Sequence, residues 1–129
     1  PIVRQSNLGL APGAKALTPE ELIADIKDGI YIEGMGSFSI DQQRQNFQFG
    51  GDCFWEIKNG KKGAMLKDVT YQALTTEFWG SLDAICDERF WIPYGVMNCG
   101  KGDPMQVAQM THGSALARFR NIKVGGITG

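Results

Sequence analysis

Long apolar runs are missing from this 129-residue chain. That excludes a bilayer-spanning helix, which needs about 20 consecutive apolar residues. Runs of one charge are missing too. The 13 Lys and Arg are scattered among 14 Asp and Glu, for a net charge of −1. Such a balance gives no electrostatic basis for binding nucleic acid or a membrane surface. Cysteine is sparse, and its count of 3 is odd. A disulfide framework is therefore disfavoured, and a reducing cytoplasmic setting is expected. There is no C-x-x-C pair, and His112 is the chain's one histidine. A closed zinc site needs three or four such donors, so this sequence cannot assemble one by itself. Internal repeats and low-complexity stretches are absent, and no signal peptide is visible in the opening stretch. That stretch, PIVRQSN, also lacks Met, so the chain reads as an excised piece of a longer protein.

What is present is the composition of an ordinary globular domain, 43% apolar and 21% charged. The length suits one domain with a core of its own. Glycine, at 17 residues, fits many turns between short strands. In TPEELIADIKDG, Thr18 suits an N-cap, Pro19 the first helical position and Glu21 a capping box. Leu22, Ile23 and Ile26 then share one face, and Gly29 is the stop, which predicts a helix over about 18–28. The glycine-interrupted run 30–40 reads as strand, with Gly34 and Gly36 marking a bulge or a close backbone approach. From Gln45 to Tyr71 consecutive strands are expected, with Asn59-Gly60 as a two-residue hairpin turn and KNGKK as a solvated tip. Leu74, Phe78, Leu82 and Ile85 recur at spacings of four, four and three, predicting a second helix over 72–85. Strands close the chain. The expected fold is mainly β (α+β), an antiparallel, barrel-like sheet carrying two short helices.

The stretch GVMNCGKGDPMQ, residues 95–106, places Cys99 between Asn98 and Gly100 with Lys101 beside it. A thiol in a glycine-flanked loop next to a cation favours the thiolate, the form that attacks electrophiles and binds metals. GVMNCGK also fits the opening of a phosphate-binding loop, but Gly102 stands where Ser or Thr would hold Mg²⁺. As a nucleophile, Cys99 would need His112 as its base. As a metal ligand, it would need donors from outside this sequence. Cys53 and Cys86 read as packed thiols.

GVMNCGKGDPMQ followed by RFRNIKVGG resembles the C-terminal part of the TldD/PmbA family of metalloproteases. The likeness extends back through RQSNLGLAPG, TPEELIADIKDGIYI and the segment FWEIKNGKKGAMLKDVTYQALTTEFWGSLDAICDE, nearly the whole chain. The resemblance implies that residues 1–129 are a single C-terminal β-rich domain, with the family's N-terminal α/β region lying outside this sequence. Active TldD-type members carry a His-Glu-x-x-x-His helix, missing here, that provides two zinc ligands and a glutamate. A cysteine from the C-terminal region is the third ligand, and Cys99 matches that position. Gly100, Lys101 and His112 are candidates to line the cleft. Family likeness further implies a cytoplasmic enzyme that hydrolyses peptides or unfolded segments, working as a homodimer or a TldD–PmbA-type heterodimer. The alternatives are a non-catalytic, PmbA-like scaffold or dimerisation subunit, a free-standing binding module, and a thiol enzyme using Cys99 and His112.

Overall fold

Short strands, most of them joined by tight turns, dominate the chain. The computed structural model describes residues 6–126. In order they form α1 (Pro19–Ile23), β1 (Asp28–Glu33), β2 (Phe38–Ile40), β3 (Asn46–Phe49), β4 (Cys53–Lys58), β5 (Lys61–Leu66) and β6 (Thr70–Leu74). Then follow α2 (Thr75–Gly80), β7 (Leu82–Ile85), a 3₁₀ turn (Glu88–Phe90), β8 (Ile92–Lys101), β9 (Gln106–Ser114), β10 (Ala117–Phe119) and β11 (Lys123–Gly125). The fold is mainly β with two short helices, as the sequence suggests. The described strands form open sheets in the orders β1-β4-β5, β11-β6-β3-β2, β10-β7 and β8-β9, so no barrel closes among them.

The chain falls into two compact units. One holds residues up to Thr18 together with Ile85–Ala117, and the other holds Pro19–Ala84 with the segment after Ala117. In the second unit, Leu22, Phe47, Phe54, Ile57 and Val69 are buried. Aromatic rings extend this core. Phe78 stacks on Phe119 at 3.9 Å between centroids and meets Phe47 edge-on at 5.0 Å.

The first helix is shorter than the spacing predicts. The Ile26 and Lys27 carbonyls accept from the N–H groups of Gly60 and Asn59 at 2.7 and 2.9 Å, and the Leu22 carbonyl from Arg118 Nη1 at 2.7 Å. After Ile23 the N–H groups of Ala24 and Ile26 bond three residues back, to Glu21 and Ile23, rather than four, and β1 is already paired with β4 from Asp28 onward. The turn itself is as expected. Asn59 and Gly60 have φ of 47° and 73°, both positive as the two-residue hairpin turn demands. The tip is solvated as expected, with Lys58, Asn59, Lys61 and Lys62 exposed, and Lys62 Nζ also lies 3.8 Å from the ring centroids of both Tyr31 and Trp55. Close backbone approach also holds at Gly34, where φ is +80° and a Cβ would stand 2.0 Å from Asp52 Oδ2.

The second helix needs more correction. Of residues 72–85, only Thr75–Gly80 is helical, and strands flank it on both sides. Residues 70–74 pair on one edge with β3 and on the other with β11. The four-residue apolar spacing thus belongs to three separate elements. Ser81 ends the helix by donating its N–H to the Glu77 and Phe78 carbonyls at 3.0 Å each.

A candidate ligand-bearing hairpin

Cys99 lies in the first unit, on β8 rather than in a loop, because pairing with β9 continues to Lys101↔Gln106. Only residues 102–105 make the tip. Gly102 has φ of +94°, and the Asp103–Pro104 bond is cis. Of the glycines flanking Cys99, Gly100 is held inside the ladder, opposite Val107. A Cβ on Gly100 would stand 2.7 Å from Met105 Sδ, so the tip folds back onto bare backbone there.

The register decides which way the thiol faces. Val96 pairs with Met110, but Cys99 pairs with Ala108, so Met97 and Asn98 together oppose Gln109. This is a β-bulge with one extra residue on β8. Directly opposed residues share a face and alternate residues repeat it. Cys99 therefore faces with Lys101, Ala108, Val96, Met110 and His112. Burial follows the same split. Val96, Cys99, Ala108 and His112 are half-buried and Met110 is buried, whereas Met97, Val107, Gln109 and Thr111 are exposed. A regular strand would have set Cys99 and Val96 on opposite faces. No residue type in MNC announces the bulge, so the sequence reading misses it.

Cys99 is half-buried and unbonded to another cysteine; Cys53 is half-buried as well, and Cys86 is fully buried. Lys101, two residues on, shares the Cys99 face. His112 shares it too but is not brought close. It sits four residues beyond Ala108 along β9, roughly 13 Å at about 3.3 Å per residue. Its Nδ1 is also engaged, lying 3.1 Å from the Leu8 carbonyl oxygen and 3.3 Å from the Leu8 nitrogen. Cys99 and His112 do not form a nucleophile–base pair, which needs hydrogen-bond reach.

What His112 does is fasten the segment before α1. Asn7 Oδ1 accepts from the Thr111 N–H at 2.8 Å, and the Leu10 N–H donates to the Gly113 carbonyl at 2.8 Å. The Trp91 indole donates to the Leu10 carbonyl at 3.0 Å. Residues 7–10 thus lie along β9, joined to it by a single bridge at Gly9↔Gly113. Within RQSNLGLAPG, Asn7 has this role and Arg4 lies outside the described residues. The neighbouring Pro-Gly is explained by Gly13, whose N–H donates to the Cys86 carbonyl at 2.9 Å and whose Cβ would stand 2.2 Å from the Ile85 carbonyl oxygen.

Elsewhere in the first unit, Asp87 is buried and accepts from the Leu17 N–H at 2.8 Å and from Arg89 Nε and Nη2, both at 2.8 Å. The Arg89 guanidinium, helped by the Leu17 amide, holds this carboxyl well below the usual carboxylate range. In the second unit Asp83 binds Arg118 and Arg120, at 2.8 and 2.6 Å, and its carboxyl is lowered chiefly by Arg118. Charged clusters like these can resemble sites, but here every carboxylate oxygen named already has its partner. Among the described residues no group of three or more His, Cys, Asp or Glu is placed to hold a metal ion. The hairpin offers a single thiol, Cys99, on a partly open face.

Comparison with known proteins places the chain. Residues 1–126 match the PmbA/TldA metallopeptidase C-terminal domain. The chain belongs to this family. It is 32% identical over 126 residues to a metalloprotease of Methanothermobacter thermautotrophicus and 30% identical over 127 residues to one of Synechocystis sp.. Each alignment covers 98% of this chain and 26% of the relative. A metalloprotease of Methanocaldococcus jannaschii is 33% identical over 101 residues, 78% of this chain and 21% of that protein. The chain spans about a quarter of the length of these relatives. No helix is long and apolar enough to cross a membrane among the described residues.

Proposed function

We propose that this PmbA/TldA-type domain supplies one cysteine ligand, Cys99, and part of the cleft wall of a zinc metallopeptidase. The observation that carries the reading is the hairpin. Its register and bulge turn a soft thiol to a partly open face near the tip, with one basic side chain beside it and no competing disulfide. One thiolate fits the donor set of a zinc site, which Cys and His commonly fill, and its remaining donors would come from polypeptide outside residues 1–129. When bound, zinc supplies Lewis-acid polarisation of a carbonyl and activation of water near neutral pH.

The chain's own residues do the positioning. β9 sets which face the thiol occupies, Met105 against Gly100 fixes the tip, and Lys101 brings positive charge to that same face. Gly100 leaves a side-chain-free backbone where a peptide substrate could approach. His112 serves by holding residues 7–10 against β9 rather than by acting on substrate. The substrates are peptides or unfolded protein segments. The enzyme works in the cytoplasm as a homodimer or a heterodimer of TldD and PmbA type. The exposed Met97, Met105 and Val107 support burial of the hairpin against other polypeptide, since a lone two-stranded ribbon is marginal in water.

The test is Cys99→Ala in the full-length protein. Zinc content per subunit should fall by at least tenfold, and peptidase activity with it. His112→Ala should lower thermal stability and leave bound zinc in place. Unchanged zinc and activity in Cys99→Ala would remove the thiol from the site and leave the PmbA-like scaffold reading.

A further inference from the structure

The turn between β4 and β5, in the second unit, carries a chemistry unrelated to Cys99. The chain holds five asparagines, and only Asn59 is followed by glycine. In an Asn-Gly pair the glycine has no side chain to hinder attack of its nitrogen on the asparagine carboxamide. The reaction is a loss of ammonia. Base takes the Gly60 N–H proton, the nitrogen bonds to Asn59 Cγ, and the Cγ–Nδ2 bond breaks to release ammonia. Water then opens the resulting five-membered imide at either carbonyl. One route leaves an aspartyl residue. The other leaves an isoaspartyl residue, whose backbone is one carbon longer.

Asn59 is exposed, so water and base reach its side chain. The nitrogen that must attack is not free. Gly60 is half-buried, and its N–H donates to the Ile26 carbonyl at 2.7 Å. The Asn59 N–H donates to the Lys27 carbonyl at 2.9 Å. A Cβ on Gly60 would stand 2.3 Å from the Ala24 carbonyl oxygen and 2.9 Å from the carbon that bears it, so residues 24–27 pack against this peptide group. Closing the imide ring turns the Gly60 nitrogen toward the Asn59 side chain, about the bond from Asn59 Cα to its carbonyl carbon. That rotation breaks the bond to Ile26. The covering segment is itself held down. Asp25 is bound by Arg118 and Arg120, and Arg118 Nη1 also donates to the Leu22 carbonyl.

We propose that Asn59-Gly60 is a latent deamidation site, silenced while residues 24–27 cover it and released when they lift. Reaction proceeds from the open state alone, and its rate scales with that state's population. The isoaspartyl product does not return to the native turn. Its extra backbone carbon moves apart two N–H groups that must meet the carbonyls of two adjacent residues, Ile26 and Lys27. The modification therefore records past opening in one direction. It goes beyond the Cys99 reading and stands independently of any metal.

The test compares the full-length protein with an end-blocked peptide of residues 55–64, both kept in mildly alkaline buffer at body temperature. Peptide mass spectrometry reads the replacement of the Asn59 amide by a carboxyl. Deamidation in the folded protein should be slower than in the peptide by roughly tenfold or more. Equal rates would overturn the proposal. Asp25→Ala removes the contacts to Arg118 and Arg120 at an exposed side chain. It should speed the reaction by about threefold or more, with the peptide rate as its ceiling. An unchanged rate in Asp25→Ala would show that the lifting of residues 24–27 is not what releases the site. Hydrogen exchange at the Gly60 amide of the unaltered protein is a second measure that needs no variant. The amide should be protected, and deamidation should be retarded at least as much as exchange. A Gly60 amide that exchanges at the peptide's rate would overturn the proposal, as would fast deamidation beside a protected amide. None of these readouts involves metal or peptidase turnover, so their failure leaves the Cys99 reading intact.

Discussion

A single methyl group at Gly113 separates this fold from a strained one. A Cβ there would stand 2.0 Å from Trp91 Cζ2 and 2.2 Å from Cη2, distances no packed side chain tolerates. The indole cannot simply swing away, because its N–H is bound to the Leu10 carbonyl. The Gly113 carbonyl also accepts from the Leu10 N–H, and Gly113 bridges Gly9, so the same spot anchors residues 7–10. Gly113→Ala should cost about 1–3 kcal/mol, the usual range for overpacking a filled site, read as a lower urea midpoint at unchanged slope. Trp91→Ala combined with Gly113→Ala should recover part of that loss relative to Trp91→Ala alone, since the clash then has no second party. Full additivity of the two would show that the indole is not what excludes a side chain.

Elements that depend on local chemistry were legible, and those that depend on distant partners were not. Asn59-Gly60 announces its turn because positive φ at two successive residues is a local demand that Asn and Gly meet cheaply. The same turn does a second, unannounced job. It gives the N–H groups of residues 59 and 60 to the carbonyls of Lys27 and Ile26, just after α1, and so ties the segment leading into β1 to the turn. Gly60→Ala makes both roles measurable. It forces an L side chain to φ of +73° and sets its Cβ 2.3 Å from the Ala24 carbonyl oxygen. A loss of about 1–3 kcal/mol is expected, with helical signal lost alongside; a loss under about 0.5 kcal/mol would mean the turn relaxes without consequence. Residues 70–74, by contrast, carry helix-like spacing into 78 and 82, yet they are strand because β3 and β11 flank them. β11 lies some 50 residues away, beyond the reach of any periodicity argument. Of the candidate site, Cys99 and its basic neighbour could be read from residue types alone. Its face could not, because the bulge at Met97–Asn98 has no sequence signature, and the separation of His112 from Cys99 is a matter of register.

Across the whole molecule, titration sets a stability plateau whose two ends have different causes. At the acid end, Asp87 is held well below the usual carboxylate range by Arg89 and the Leu17 amide, and Asp83 is lowered by Arg118 and Arg120. In the unfolded chain both carboxyls titrate near the ordinary value of about 3.9. Above that value they are ionised in both states, so their contribution is complete at neutral pH. As pH falls through about 4, the unfolded chain takes up protons that the folded chain refuses, and stability declines toward the lower folded values. At the alkaline end, burial raises the Tyr71 phenol among Phe47, Phe49 and Phe78. Above about 10 the unfolded chain loses a phenolic proton that the folded chain keeps, so this contribution is present below that pH and lost as pH rises through it. Urea midpoints measured from pH 2 to 11 should therefore be flat between about 5 and 9 and fall on either side. Asp87→Asn should lower the midpoint at pH 7 and make the acid limb shallower, leaving the share that Asp83 contributes, because one of the two groups whose proton uptake drives it is gone. Tyr71→Phe should flatten the alkaline limb and leave the acid limb as it was. An acid limb as steep in Asp87→Asn as in the unaltered chain would show that Asp87 keeps no depressed carboxyl, and that its contacts with Arg89 are a surface pairing of little energetic weight.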